Sequence, residues 1–204
     1  MRIVTGLAMC FMATLLVAAP KNTAWRGMVT QADVQLIDEV DQIMHTTLGL
    51  YQNQALASDE VEPYLAAIKF AEAEPQLIKN KELIGRWQCR STQISARFLG
   101  RYPYFNCQIK QTAKGLWFQK TTGSQRVSGY LHQGQGQQKV FIGGATVNDD
   151  PLRSYDLNQP DNIPAHQNHN AVGVLRKISA NQMILIQPNK DKAGYELYEL
   201  IRKK

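Results

Sequence analysis

Few side chains in this chain have the type and spacing to do chemistry. His166 and His169 stand in Ala165-His166-Gln167-Asn168-His169-Asn170, and Asp149, Asp150 and Asp161 lie in the same Asn/Pro-rich stretch. Imidazole with carboxylate is a ligand set for zinc or nickel. A spacing of three serves one metal ion when the stretch is helical, and these neighbours do not favour a helix. The expectation is therefore two polar loop histidines, with a metal site as the weak alternative. Ser124 follows Gly123 without the Gly-x-Ser-x-Gly elbow or its strand-to-helix context, and reads as a turn residue. Glu196 and Glu199 have an odd separation, so on a strand they face opposite sides, which disfavours them as a carboxylate pair for glycoside chemistry. Gly134-Gln135-Gly136 precedes a strand rather than opening a helix and is no phosphate loop. No catalytic constellation assembles and no cofactor is expected. An enzyme, here a hydrolase with an unrecognised site, is the minority reading.

The cysteines suggest structure rather than redox catalysis. Cys89 lies in Arg86-Trp87-Gln88-Cys89-Arg90 and Cys107 in Tyr104-Phe105-Asn106-Cys107-Gln108-Ile109, both strand-like. Each shares an alternating face with large apolar residues, Trp87 on one strand, Phe105 and Ile109 on the other. Neighbouring antiparallel strands can bring two such positions together. A disulfide there closes a loop for which the chain-entropy model gives roughly 3 kcal/mol. The alternative is two separate buried thiols. The pair lacks the close spacing of a catalytic dithiol.

The N-terminus sets the compartment. Met1-Arg2, an apolar run from Ile3 to Ala19 and then Pro20 have the parts of a secretory signal, with Cys10 inside the run. Residues 1–19 are read as a signal peptide, with retention as an inner-membrane anchor as the alternative. Export would place Cys89 and Cys107 in an oxidising compartment such as the periplasm. The composition is that of an ordinary globular chain of 204 residues, 44% hydrophobic and 20% charged, which excludes collagen-like, disulfide-dense and disordered classes. The formal charge of +6 is spread over Arg86, Arg90, Arg97, Arg101, Lys110, Lys114, Lys120 and Arg126 rather than clustered. This reads as a solvated face, and no nucleic-acid partner is expected.

The elements that must position these residues change period along the chain. Over 20–80 the pattern is helical. Thr30-Gln31-Ala32-Asp33 resembles a capping box, and Ile37, Val40, Met44, Leu48 and Tyr51 share one face of a helix running to about Ala57. A second helix is predicted from about Pro63, carrying Tyr64, Leu65, Ile68 and Phe70, and stopped by Pro75. Over 81–204 the period is two. Eight strands are predicted, at about 84–95, 103–112, 115–122, 125–132, 138–145, 170–178, 181–188 and 194–202, with hairpin chemistry between most of them. Eight short strands in sequence suggest an up-and-down barrel, which removes exposed edges; an incomplete barrel or a sandwich remains open. Residues 146–170 break the rhythm and read as a long loop over one barrel end.

Gly85-Arg86-Trp87 resembles the Gly-x-Trp opening of lipocalin-like barrels. That resemblance implies that Trp87 closes one barrel end near a late arginine, a part open to Arg202. A closer resemblance is to an uncharacterised exported bacterial family, domain of unknown function 4893. It rests on Gly85-x-Trp87-x-Cys89-Arg90, on Tyr104-Phe105-x-Cys107-x-Ile109 and on Lys120-x-Thr122-Gly123-Ser124-Gln125-Arg126. Val172-Gly173 and Tyr198-Glu199-Leu200 match less specifically. The resemblance implies export and a common fold and carries no activity.

These readings converge on an α+β protein whose N-terminal helices pack on an antiparallel, eight-stranded, calycin-like up-and-down barrel. The function expected is a non-enzymatic periplasmic binding module, its partner a small apolar ligand or an envelope protein. Membrane contact is expected only through the N-terminal segment if it stays uncleaved. The alternative is an interaction or inhibitor module acting through 146–170 or the helices. Large inward candidates (Trp87, Phe105, Phe118, Leu131, Ile142, Leu185) compete with any ligand for the interior.

Overall fold

The structure, a computed structural model, describes residues 24–160 and 167–203. Residues 1–19, where a signal peptide is expected, and Cys10, Asp161 and His166 lie outside the described residues. Among the described residues no helix is long and apolar enough to cross a membrane.

Nine strands form one antiparallel sheet: β1 (Gly85–Ser95), β2 (Phe98–Arg101), β3 (Phe105–Thr112), β4 (Gly115–Lys120), β5 (Gln125–Gln133), β6 (Lys139–Val147), β7 (Asn170–Ser179), β8 (Gln182–Pro188) and β9 (Gly194–Arg202). β2 and β3 both pair with β1, consecutive strands pair from β3 onward, and β9 returns to pair with β1, which closes the sheet. β2 and β3 lie along the same edge of β1, one above the other: Thr92 faces Arg101 and Cys89 faces Phe105. Between them the chain bulges at Tyr102-Pro103-Tyr104, where the Tyr102 N–H still reaches Ser91 O at 2.9 Å. Proline cannot donate to the ladder, so the bulge is where this strand tolerates one. β2 and β3 therefore make a single stave, and the barrel has the eight staves expected from the sequence.

Alternation divides the strand residues between two cores. The inward set joins Trp87, Cys89, Cys107, Ile109, Leu116, Phe118, Leu131, Phe141, Leu175, Leu185, Tyr198 and Leu200. The outward set of one wall, Val140, Ile142, Val172, Val174, Ile184, Ile186, Tyr195 and Leu197, packs under the helices. Ile142 thus faces the helical layer, not the interior. It lies one residue out of phase with Phe141, and strands buried on both faces show no alternation by which to choose.

The helical layer comprises α1 (Gln31–Asp38), α2 (Val40–Gly49), α3 (Ser58–Ala71) and the short α4 (Asn80–Leu83). Thr30 caps α1, its Oγ1 accepting the Asp33 N–H at 3.3 Å. Ile37, Val40, Met44, Leu48 and Tyr51 are all buried against the barrel, but the helix is broken at Glu39. α3 starts earlier than predicted. Glu60 accepts the Ala57 N–H at 2.9 Å at its start, which places Pro63 in the second turn. Leu65 points to solvent, with Phe70 buried instead. Ion pairs join this acidic layer to the basic barrel wall, among them Arg176 forked on Asp41 at 2.7 and 2.9 Å.

Cys89 and Cys107 form a disulfide across β1 and β3, with Cα atoms 5.8 Å apart. The register sets Cys107 opposite Trp87 and Cys89 opposite Phe105, so the bridge runs diagonally inside the barrel. Its reduction is expected to remove about 3 kcal/mol of stability, lowering the thermal midpoint by roughly 6–12 °C. Scans with and without reductant, on wild type and on the Cys89→Ala, Cys107→Ala double variant, measure this. An unchanged midpoint would deny the bridge its stabilising role.

Candidate functional site

The two barrel ends differ. At one end the Trp87 ring is sealed in. Its Nε1–H donates to Leu83 O at 2.9 Å, and the Arg202 guanidinium stacks 4.0 Å above the ring. Arg202 also donates to Ile84 O at 3.0 Å and to Glu82 O, so α4 is tied down as a plug. Gly85 has φ 141°, and a Cβ there would lie 2.6 Å from the arginine Nη1. Glycine is required at that close approach.

The other end is open, because β7 and β8 part. Their ladder starts only at Val174 opposite Ile186. Beyond that pair Asn170 to Val172 have β6 as their only ladder partner, and Gln187 and Pro188 have β9 alone. Gly173 sits in the crotch of the fork, where a Cβ would approach Ile186 O to 2.4 Å. The resulting slot has a volume of about 690 Å³ and is lined by Ala171, Gln187, Asn189, Asp191 and Glu196, among others. Pro188 presents no N–H on this lip.

Polar side chains gather where the slot meets the interior. Glu196 accepts a hydrogen bond from Ser91 Oγ, and the Tyr198 hydroxyl lies within reach of its charge. Burial first, and the Glu196 carboxylate second, push Tyr198 well above the ordinary tyrosine range. Lys120 points inward and is 4% exposed; it donates to Gln125 O at 2.6 Å and lies 4.4 Å from the Phe105 ring centre. Burial lowers its pKa, and Glu196 partly offsets this. It is thus no part of the solvated basic face expected from the sequence. Gln187 stands directly opposite Glu196 in the β8–β9 register. Its Nε2 is buried and has no hydrogen-bond partner.

One buried carboxylate joins both lips. Asp33, fully buried on α1, accepts from Lys190 in the β8–β9 turn and from the Tyr155 hydroxyl at 2.5 Å. Tyr155 belongs to the segment after β6. The next residue, Asp156, exchanges two 2.8 Å hydrogen bonds with Asn170 at the start of β7. Burial and the Asp33 hydrogen bond push Tyr155 up to about 12. The described part of the long loop contributes Asn168 to the slot at the open end. It lies against the wall, with Arg153 over Gly144, and reaches the helices through Tyr155.

A second polar cluster lies outside the barrel on β9. Glu199 accepts from Arg101 at 2.5 Å, Tyr104 at 3.0 Å, Arg90 at 3.3 Å and Gln182 at 2.7 Å. Burial alone would raise its pKa. The Tyr104 hydrogen bond and the Arg101 charge outweigh that and hold it below the ordinary glutamate value. Glu196 and Glu199 do face opposite sides of β9. Among the described residues no three His, Cys, Asp or Glu side chains converge as a metal site, and His169 sits beside Arg153 and Asp156.

The slot residues carried a weak signal in the sequence. Gln187 ends the inward series Met183, Leu185, Gln187, and Glu196 begins the inward series Glu196, Tyr198, Leu200. That the two stand opposite each other follows only from the β8–β9 register.

Fold and site together define a helix-flanked, closed antiparallel β-barrel with one plugged end and one end split open. The family model described as a domain of unknown function, DUF4893, matches residues 25–200, and the chain belongs to that family. No curated protein matches the chain. A solved structure described as a redesigned beta barrel is similar over 64% of this chain and 100% of that one, at 13% identity and a TM-score of 0.40.

Proposed function

We propose that the protein is an exported binding module without catalytic activity, which takes a small ligand in the slot between β7 and β8. The observation that carries this reading is the slot itself, about 690 Å³ in volume, with a buried carboxamide donor left unpartnered on its wall. Ligand sites are concave and hold a few convergent polar groups, and a buried donor without an acceptor is costly to keep unless something completes it. The plugged half of the barrel is filled by Trp87, Phe118, Leu131 and Leu185. That packing favours a site at the open end over an apolar ligand in a central cavity. The disulfide and the apolar run over residues 1–19 support export to the periplasm.

Ala171 lines the slot, and Ala171→Phe should fill it. Ligand-observed NMR with a fragment library should give hits on wild type that compete with one another and vanish in Ala171→Phe. Hits that persist in the folded variant, or no hits at all, would reject the slot as a binding site.

A further inference from the structure

We infer that the ligand of this slot is a small neutral polyhydroxylated molecule, a saccharide or cyclic polyol, bound by hydroxyls that bridge Gln187 and Glu196. The inference rests on the slot reading above and names its ligand class. The two side chains are cross-strand partners on β8 and β9. Directly opposed residues on one face of an antiparallel pair hold their Cβ atoms about 4.5–5.5 Å apart. Yet Gln187 Nε2 donates to nothing, while the Glu196 carboxylate receives the Ser91 hydroxyl. Gln187 is 8% exposed and its Nε2 is covered, so the carboxamide turns toward the slot to meet a ligand.

The slot therefore offers a donor and an acceptor side by side, and the complement must accept from one and donate to the other. An ammonium group satisfies Glu196 but has no lone pair for Gln187. A carboxylate or phosphate accepts from Gln187 but meets the charges of Glu196 and Asp191, neither of which has an ion-pair partner among the described residues. An apolar group leaves the Gln187 donor unpaired, at a cost of about 1–3 kcal/mol, and strips water from the Glu196 carboxylate. A hydroxyl both donates and accepts. Adjacent hydroxyls on a ring extend the match to the Asn189 carboxamide and Asp191 at the rim. Lys190, the cation nearest the slot mouth, is already held by Asp33. Lys120 lies deeper, bonded to Gln125 O and outside the slot lining, so the lining itself presents no free cation to prefer an anion.

Isothermal titration of the oxidised protein against glucose, N-acetylglucosamine, lactose and myo-inositol tests this, with n-butylamine, propionate and toluene as comparators. Binding is expected for at least one polyol and none of the comparators. It should weaken roughly tenfold or more in Gln187→Leu, and in Glu196→Gln as a second variant, with thermal midpoints confirming that both fold. Polyol binding that neither variant changes would overturn the inference. Comparator binding lost in Gln187→Leu would overturn the ligand class and leave the slot as the site. Absence of binding by every probe would make the Gln187–Glu196 gap a water site and overturn both.

Discussion

Replacing Glu199 by alanine is expected to cost roughly 3–5 kcal/mol of folding stability, although the residue touches neither the slot nor the barrel interior. Its carboxylate is the common acceptor for groups from four elements: Arg90 on β1, Arg101 on β2, Tyr104 in the bulge and Gln182 on β8. The Arg101 side chain is only 6% exposed. Without Glu199 its remaining partner is Glu62, which is 64% exposed and well solvated. A buried guanidinium left with a solvated counter-ion is the situation in which truncating one member of a pair is most damaging. Removing both charges, in Glu199→Leu with Arg101→Met, is expected to recover most of the loss. Urea unfolding of the single and double variants measures this. A single variant within 1 kcal/mol of wild type would show the cluster to be solvated in practice.

The same cluster sets an acid limit. The Glu199 pKa is lowered on folding, so its contribution is complete above the ordinary glutamate value of 4.5. It is lost as the pH falls through the lower folded value. Between pH 7 and pH 3 wild type should therefore lose more stability than Glu199→Gln does.

Trp87→Ala should be comparably severe, at about 3–5 kcal/mol. The ring is 1% exposed and stands between Arg202 above and Leu83 behind. Its removal opens a cavity and also frees Arg202 from the surface that orients its hydrogen bonds to α4. Trp87→Phe keeps a stacking face and most of the ring volume while losing the Nε1–H to Leu83 O contact, so it should cost distinctly less. Denaturant unfolding ranks the two. Equal losses would mean that the indole hydrogen bond, rather than ring volume, holds this end shut.

The barrel was legible because most of its walls have one wet face and one dry face. Val127, Gly129 and Leu131, or Trp87 and Cys89, announce the period of two directly. Legibility failed where that contrast is missing. On β6 to β8 both faces are apolar, which concealed the outward orientation of Ile142. β2 was overlooked because Pro103 breaks its stave just where a strand prediction would otherwise run on. The break at Glu39 has no glycine or proline to signal it. The charge of Lys120 points to solvent, and only the alternation of β4, with Leu116 and Phe118 inward, puts it inside. The slot was least legible, since a gap between two strands is a property of their ladder and neither strand encodes it alone.

The doubly apolar wall also bears on the order in which the chain is made. Met183-Ile184-Leu185-Ile186 is buried on every side in the finished protein, half against the barrel interior and half under α1 and α2. As a nascent segment it has the composition of an aggregation-prone strand, with high β-propensity and no charge or proline to interrupt it. The helices that cover it lie at the front of the chain and leave the ribosome more than a hundred residues earlier. The sticky strand thus emerges to find its lid already synthesised. Reversing that order, by a circular permutation that moves residues 24–83 behind β9, would keep every native contact and remove the protection.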